Sequence, residues 1–185
     1  MTAADLEPLH RYTSDEYHRL IEAGGFDEGA RVELIDGLLV EMSPKSREHE
    51  LAVERLLDWL ADRDRSRFRL RAAAPLSLAD GTEPEPDVAV VAAGVADPYH
   101  PAGAELVVEV AVSSQRRDLL VKAPRYAAAH VPVYLVVDLD ARRVIEHTDP
   151  RDGVYRSVGE VEQLDARLPG VAVLPAADVF AAAFA

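Results

Sequence analysis

Charged residues interrupt two strongly apolar segments, EPEPDVAVV at residues 83–91 and AELVVEVAVSSQRRDLLVK at residues 104–122. Asp87 opens the first apolar run, Glu109 lies inside the second, and Lys122 ends the segment. Charges within runs that have the composition of buried β-strands are costly unless they are paired or bind a metal. The two segments therefore predict strands that carry a divalent-metal site.

The valine-rich runs indicate a central sheet. Residues 87–92 and 105–112 are nearly continuous in apolar character, which is typical of strands covered on both faces. VPVYLVVDL at residues 131–139 has the same character, and residues 142–147 and 154–158 are expected to form outer strands.

The remaining elements follow from caps, turns and periodicity. Thr13 and Glu16 form a capping box for a helix that ends near residues 24–25. Asp36-Gly37 between alternating apolar residues predicts a hairpin over residues 31–42. Further predicted elements are helices at 47–62, between 118 and 130, and at 176–184, strands at 68–73, 75–78 and 171–173, and a loop at 92–103. This order predicts an α/β fold with a mixed central β-sheet flanked by helices, preceded by an N-terminal helix and β-hairpin.

Composition narrows the possible classes of protein. The 185 residues are expected to form a single domain, with a short leader at residues 1–12. The absence of a secretory or bilayer-length apolar run favours a soluble cytoplasmic protein. With no cysteine, a metal would need oxygen or imidazole ligands. The net charge of −13 argues against a surface that coats DNA.

The two acids suit a particular chemistry. Mg²⁺ prefers octahedral oxygen coordination and usually takes one or two carboxylates. Asp87 and Glu109 on adjacent strands would supply that pair, and a nearby lysine would orient or help deprotonate an attacking water. These residues therefore predict metal-assisted hydrolysis of a phosphodiester.

Several motifs, in order and spacing, resemble the Uma-type restriction endonuclease family. The motifs are VELIDGLLVEMSP, with His49 soon after it, then EPEPDVAVV, LVVEVAVSS, Asp118-x-x-x-Lys122-x-x-x-Tyr126 and VPVYLVVD. The resemblance covers the chain from about Thr13 to Phe184. It implies a PD-(D/E)XK nuclease-like fold with a restriction-endonuclease-like core, an endonuclease acting on DNA, and Mg²⁺ (or Mn²⁺ as a substitute) as cofactor.

The resemblance also implies roles for individual residues. Asp87 and Glu109 would be the metal ligands, with the backbone carbonyl of Val110 as a further ligand. Glu33, on the predicted hairpin, would be an additional acid of the site. A homodimer is a further expectation, because many endonucleases cut both strands with paired sites.

The lysine of the general motif is displaced in this chain. The motif has lysine two residues after the second acid, where this sequence has Ala111, and the resemblance points to Lys122 instead. Pro124 follows closely, and proline costs about 3 kcal/mol inside a helix but is tolerated in the first turn. The helix is therefore expected to start near residues 120–121 or to be kinked. Other departures from the family pattern are Val112, Gln115 and Leu135.

Each of these residues could instead have a purely structural role. Asp87 could be a turn residue that accepts from a backbone amide, and Glu109 could face water at a sheet edge. Lys122 could lie on a helix surface, and Glu33 could pair across the hairpin. Asp118 is interpreted as a helix N-cap.

Other polar residues receive supporting roles. His49 is expected beside the ligands rather than among them. Tyr126 and Tyr134 are expected to pack with their hydroxyls at the edge of the site. The histidines without zinc-site spacing are interpreted as surface residues: His100, His130 and His147.

Two functions remain open from the sequence. The first is a Mg²⁺-dependent DNA endonuclease. The second is a catalytically weak or inactive nuclease-fold protein that acts as a binding or assembly module, which the acidic charge and Pro124 favour. The basic segment DRDRSRFRLR at residues 62–71 could follow a phosphate backbone but is interpreted as a solvated helix end.

Overall fold

The described residues, which are 9–94, 100–112 and 118–185 of a computed structural model, form an α/β arrangement. In chain order its elements are α1 (Ser14–Glu22), β1 (Val32–Ile35), β2 (Leu38–Glu41), α2 (Arg47–Trp59), β3 (Phe68–Ala72), β4 (Val88–Ala92), β5 (Leu106–Ala111), α3 (Ala123–Ala128), β6 (Val133–Asp138), β7 (Arg143–Arg151), β8 (Val154–Val161), β9 (Gln163–Leu164), β10 (Leu174–Pro175) and α4 (Ala176–Ala183). A 3₁₀ turn at Leu60–Asp62 extends α2, and a π-helical turn at Asp118–Lys122 leads into α3.

The central sheet has six strands in the order β3-β4-β5-β6-β7-β8. β5 and β6 pair in parallel, and the other neighbours in this sheet pair antiparallel. A parallel pair needs a crossover connection, which the π-helical turn and α3 provide here. The predicted mixed sheet is confirmed.

Helices cover both faces of this sheet. Leu56 of α2 and Val179 of α4 pack with Val108 in one apolar cluster. Tyr126 of α3 packs with Val107 in a second cluster on the opposite face. Side chains alternate between the faces of a strand. Glu109, two residues after Val107 in β5, therefore also lies on the α3 face. All residues of β5 and β6 are buried, as the valine-rich runs predicted.

The N-terminal helix and hairpin form as predicted. Thr13 and Glu16 make the capping box of α1. Asp36 and Gly37 have φ values of 51° and 75°, the positive values that a type I′ turn requires at both central residues. Arg125 of α3 pairs with the Asp36 carboxylate, so the turn is held against the main body of the fold.

Two predicted short strands are wrong. Residues 75–78 form no strand, because their backbone bonds go to a neighbouring loop instead, with Leu76 N donating to Pro84 O at 2.9 Å. Residues 171–173 are not a strand either. The indole of Trp59 donates to the Ala172 carbonyl at 2.6 Å, and the short pairing begins afterwards, in β10.

Some sequence predictions concern residues that the structure does not describe. Residues 1–8 of the predicted leader, residues 95–99 of the predicted loop and Gln115 lie outside the described residues. Within the described ranges, no helix combines the length and apolar character needed to cross a bilayer.

Candidate active site

A charged cavity of about 50 Å³ lies between the N-terminal hairpin, the starts of β4 and α2, the end of β5 and the π-helical turn. One water molecule needs roughly 10–15 Å³ of such space, so the cavity can hold an ion or several waters. Its charged and histidine lining consists of Arg31, Glu33, Lys45, His49, Glu85, Asp87, Glu109, Asp118 and Lys122.

Two carboxylates meet across the β4–β5 pair. Val88 pairs with Val108, and one further step in the same register places Asp87 opposite Glu109. Both are buried, with exposed fractions of 7% and 4%. The predicted convergence is therefore present. Like charges directly opposite one another destabilise a strand pair, so this arrangement needs a compensating positive charge.

Asp87 is held by its neighbours on two sides. Its Oδ2 accepts from the Val110 amide at 2.9 Å, which agrees with the interpretation of Asp87 as an acceptor for a backbone amide. Its Oδ1 lies 3.0 Å from His49 Nε2 and 3.6 Å from Lys45 Nζ. Burial alone would raise the pKa of Asp87, but the hydrogen bond and charge of His49 hold this pKa below its ordinary value.

Glu109 does not face water at a sheet edge, because β5 is an interior strand and its side chain is buried. Its Oε1 accepts from Lys122 Nζ at 2.9 Å and from the Tyr126 hydroxyl at 3.0 Å. Burial raises the pKa of Glu109 well above its ordinary value, and the Lys122 charge offsets only part of that effect.

Lys122 is a buried residue of the site and not a surface residue, with an exposed fraction of 4%. Its Nζ also lies 3.0 Å from Glu33 Oε2, so one ammonium bridges two carboxylates. The geometry depends on the π-helical turn, after which α3 starts at Ala123. Pro124 then falls in the first helical turn, where proline is tolerated. The expected start at residues 120–121 is wrong by two or three residues.

Glu33 belongs to the site through β1. Its cross-strand partner is Val40, so the suggested ion pair across the hairpin is wrong. Instead its Oε2 accepts from the Glu85 amide at 3.3 Å and forms an ion pair with Lys122. Glu33 is 1% exposed, and its position ties the hairpin to the segment that leads into β4.

The N-cap interpretation of Asp118 is wrong. Asp118 is buried within the π-helical turn and lines the cavity. Its backbone carbonyl accepts from the Tyr134 hydroxyl at 3.1 Å. The tyrosine predictions are therefore confirmed, since Tyr126 and Tyr134 pack in the core with their hydroxyls at the edge of the site.

The histidine interpretations are partly wrong. His130 is exposed as predicted. His147 is buried, with its ring 5.1 Å from that of Tyr134, and His100 is half-buried beside His18. No sequence spacing indicated either position, because the packing partners lie on distant segments.

The charges of the cavity fit a divalent cation. The lining has five carboxyl side chains and three lysine or arginine side chains, so the acidic groups outnumber these basic groups by two. The carboxylates are oxygen donors, which Mg²⁺ and Mn²⁺ prefer. The donor set of the described residues therefore suits a hard divalent metal.

Besides Asp118, three charged lining residues were not assigned to the site from the sequence. Glu85 lies two residues before Asp87, and this alternation in EPEPD was a usable signal for a shared face. Arg31 and Lys45 carry no such signal, because they reach the cavity from loops whose positions depend on the tertiary structure.

The sheet order and the buried acids and lysine define a restriction-endonuclease-like α/β protein. The chain belongs to the Uma2 family, described as "Putative restriction endonuclease", whose model matches residues 14–182. The resemblance drawn from the motifs is thus confirmed.

One solved structure is similar over nearly its whole length. It is described as a putative nuclease belonging to DUF820 from Anabaena variabilis, and it matches with a TM-score of 0.73 and 12% sequence identity. The match covers 95% of this chain and 99% of that chain, which supports the fold. No curated protein matches the sequence.

Proposed function

We propose that this protein is a Mg²⁺-dependent endonuclease that hydrolyses DNA phosphodiester bonds. The observation that carries the proposal is the facing of Asp87 and Glu109 across two strands, in a cavity with excess negative charge. The family description agrees with a nuclease function.

Asp87, Glu109 and the backbone carbonyl of Val110 would hold the metal, with Mn²⁺ as a working substitute for Mg²⁺. The bound cation would polarise the phosphate and lower the pKa of an attacking water. Residues around the ligands fix their positions. The Val110 amide and His49 orient the Asp87 carboxylate, while Tyr126 orients Glu109.

Lys122 would provide the remaining positive charge of the site. Its ammonium touches Glu109 and Glu33, so it lies beside the proposed ligands. From that position it would orient the attacking water and offset charge on the phosphate. Glu33, 3.0 Å from the ammonium, would help to hold it in place.

DNA cleavage by the purified protein tests the proposal. We expect cleavage of supercoiled plasmid with Mg²⁺ or Mn²⁺, no cleavage with EDTA, and loss of at least about 100-fold in Asp87→Asn and Glu109→Gln variants. Asp178→Asn, the same chemical change at an exposed ion pair, should cleave like wild type. A wild-type protein that cleaves no DNA with either metal contradicts the proposal.

The same assay addresses the proposed homodimer. Two paired sites would yield linear product directly, whereas a single site would accumulate nicked circles first. Light scattering at the assay concentration would give the mass of the species that cuts.

A second function, binding or assembly without cleavage, is favoured by a specific observation. Lys122 already pairs with Glu109 and Glu33 and offsets part of their negative charge, and the net charge of −13 opposes binding to DNA. Calorimetric titration with Mg²⁺ and Mn²⁺ separates the two functions. Weak association alone, unaltered by Asp87→Asn, would favour this second function.

A further inference from the structure

His18, Glu83 and His100 form a second cluster of metal-binding side chains, which the proposed nuclease chemistry does not use. The ligand atoms of the three residues all lie within 4.8 Å of one another. Across the described ranges, no other group of three or more histidine and acidic side chains meets that spacing. None of the three lines the charged cavity.

We propose that His18, Glu83 and His100 bind a Zn²⁺ ion. Two imidazoles and one carboxylate form a three-ligand zinc set, in which water completes a tetrahedron. Imidazole donors favour Zn²⁺ over Mg²⁺, whereas the carboxylates of the charged cavity favour the hard cation. The two sites would therefore select different metals.

Contacts around Glu83 give the cluster a fixed centre. Glu83 is 2% exposed, and its Oε1 accepts from the Ser77 hydroxyl at 3.3 Å. Its Oε2 lies 2.8 Å from His18 Nε2. A hydrogen bond to a ligating carboxylate is the kind of support that orients metal ligands in proteins.

The geometry needs only a small adjustment to hold zinc. Bonds of about 2.0–2.1 Å at tetrahedral angles separate ligand atoms by about 3.4 Å. The 2.8 Å contact between His18 and Glu83 would lengthen by roughly half an ångström as the ion replaces the hydrogen bond. The rings of His18 and His100 are 5.8 Å apart and nearly perpendicular, so their edges can approach a common centre from different directions.

The ion would link three separate segments of the chain. His18 lies on α1, Glu83 precedes β4, and His100 precedes β5. The Glu83 amide also donates to the Leu34 carbonyl at 2.7 Å, next to Glu33 in β1. Zinc would therefore hold α1 against the part of the fold that positions the charged cavity.

Zinc titration of metal-free protein tests this site. The experiment uses the Asp87→Asn/Glu109→Gln double variant, so that the two carboxylates proposed to hold Mg²⁺ do not contribute. We expect one Zn²⁺ per chain by calorimetry, with affinity lowered on the order of 100-fold or more by His18→Ala or by His100→Ala. His130→Ala, which removes an exposed histidine, should bind like its parent.

Thermal unfolding with and without metal provides a second test for variants that fold too poorly for calorimetry. Zn²⁺ should raise the thermal midpoint of the parent, Mg²⁺ should not, and His100→Asn should abolish the Zn²⁺ shift. The proposal is overturned if the parent binds no Zn²⁺, or if the histidine variants bind it unchanged. In that case the cluster is a hydrogen-bonded His–Glu pair only. DNA cleavage by wild type is a separate measurement, so failure of one proposal is distinguishable from failure of the other.

Discussion

Lys122 shows how one side chain satisfies two buried acids. Its ammonium lies 2.9 Å from Glu109 Oε1 and 3.0 Å from Glu33 Oε2. Burial alone would lower the pKa of Lys122, but these two carboxylates raise it above its ordinary value. At neutral pH the residue is therefore a cation, and its removal leaves two acids facing each other.

Lys122→Met should lower the free energy of unfolding by about 3–5 kcal/mol, because removing one partner of a buried pair leaves an uncompensated charge. Urea denaturation in EDTA would measure the change. Lys122→Met combined with Glu109→Gln should recover part of the loss, since the second change removes one of the stranded charges. Equal losses in the single and double variants would contradict the assigned pairing.

At the scale of elements, the N-terminal hairpin brings Glu33 to the site and depends on a tightly packed turn. The Gly37 amide donates to Gly81 O at 2.7 Å, and Gly37 O accepts from Tyr12 N at 2.9 Å. A Cβ atom added at Gly37 would lie 2.5 Å from the Arg11 Cβ. Gly24 has a similar positive φ of 68° but nothing within 4 Å of such an atom.

Gly37→Ala should therefore destabilise the protein by about 1–3 kcal/mol more than Gly24→Ala, because overpacking adds to the shared left-handed strain. Thermal and urea unfolding of the two variants would give the difference. Similar losses in both would show that the contact with Arg11 relaxes freely.

The whole molecule carries a pH-sensitive position away from the charged cavity. His147 is 5% exposed and contacts the rings of both Tyr134 and Tyr155. Burial lowers the pKa of His147 below its ordinary value of 6.5. The unfolded chain therefore binds this proton more readily than the folded protein does.

Because the unfolded chain takes up the proton of His147 more readily, acid should lower the free energy of unfolding. The contribution of His147 to stability should be complete above about pH 6.5 and decline as the pH falls below that value towards the folded-state pKa. Urea unfolding at pH 8 and pH 5.5 should show that His147→Gln loses less stability than wild type when the pH is lowered. His130→Gln, at an exposed site, should keep the wild-type loss. If His147→Gln loses as much stability as wild type between pH 8 and pH 5.5, another group causes the pH dependence.

Much of the fold was predictable because its signals are local. The capping box of α1, the Asp36-Gly37 turn and the valine-rich runs of β4 and β5 each depend on neighbouring residues. The two wrong strands, at 75–78 and 171–173, show the limit of such signals. Short apolar runs can be buried by a loop or a side-chain hydrogen bond without entering a ladder.

The sequence by itself determined which charges are exceptional. Asp87 and Glu109 lie in apolar runs, and burial there requires a partner. The tertiary structure decided the partners, because they come from distant segments. Lys122 reaches Glu109 and Glu33 through a π-helical turn that no local pattern specified. Pairing energies in a buried site depend on distances of a few ångströms, which strand register and loop packing set.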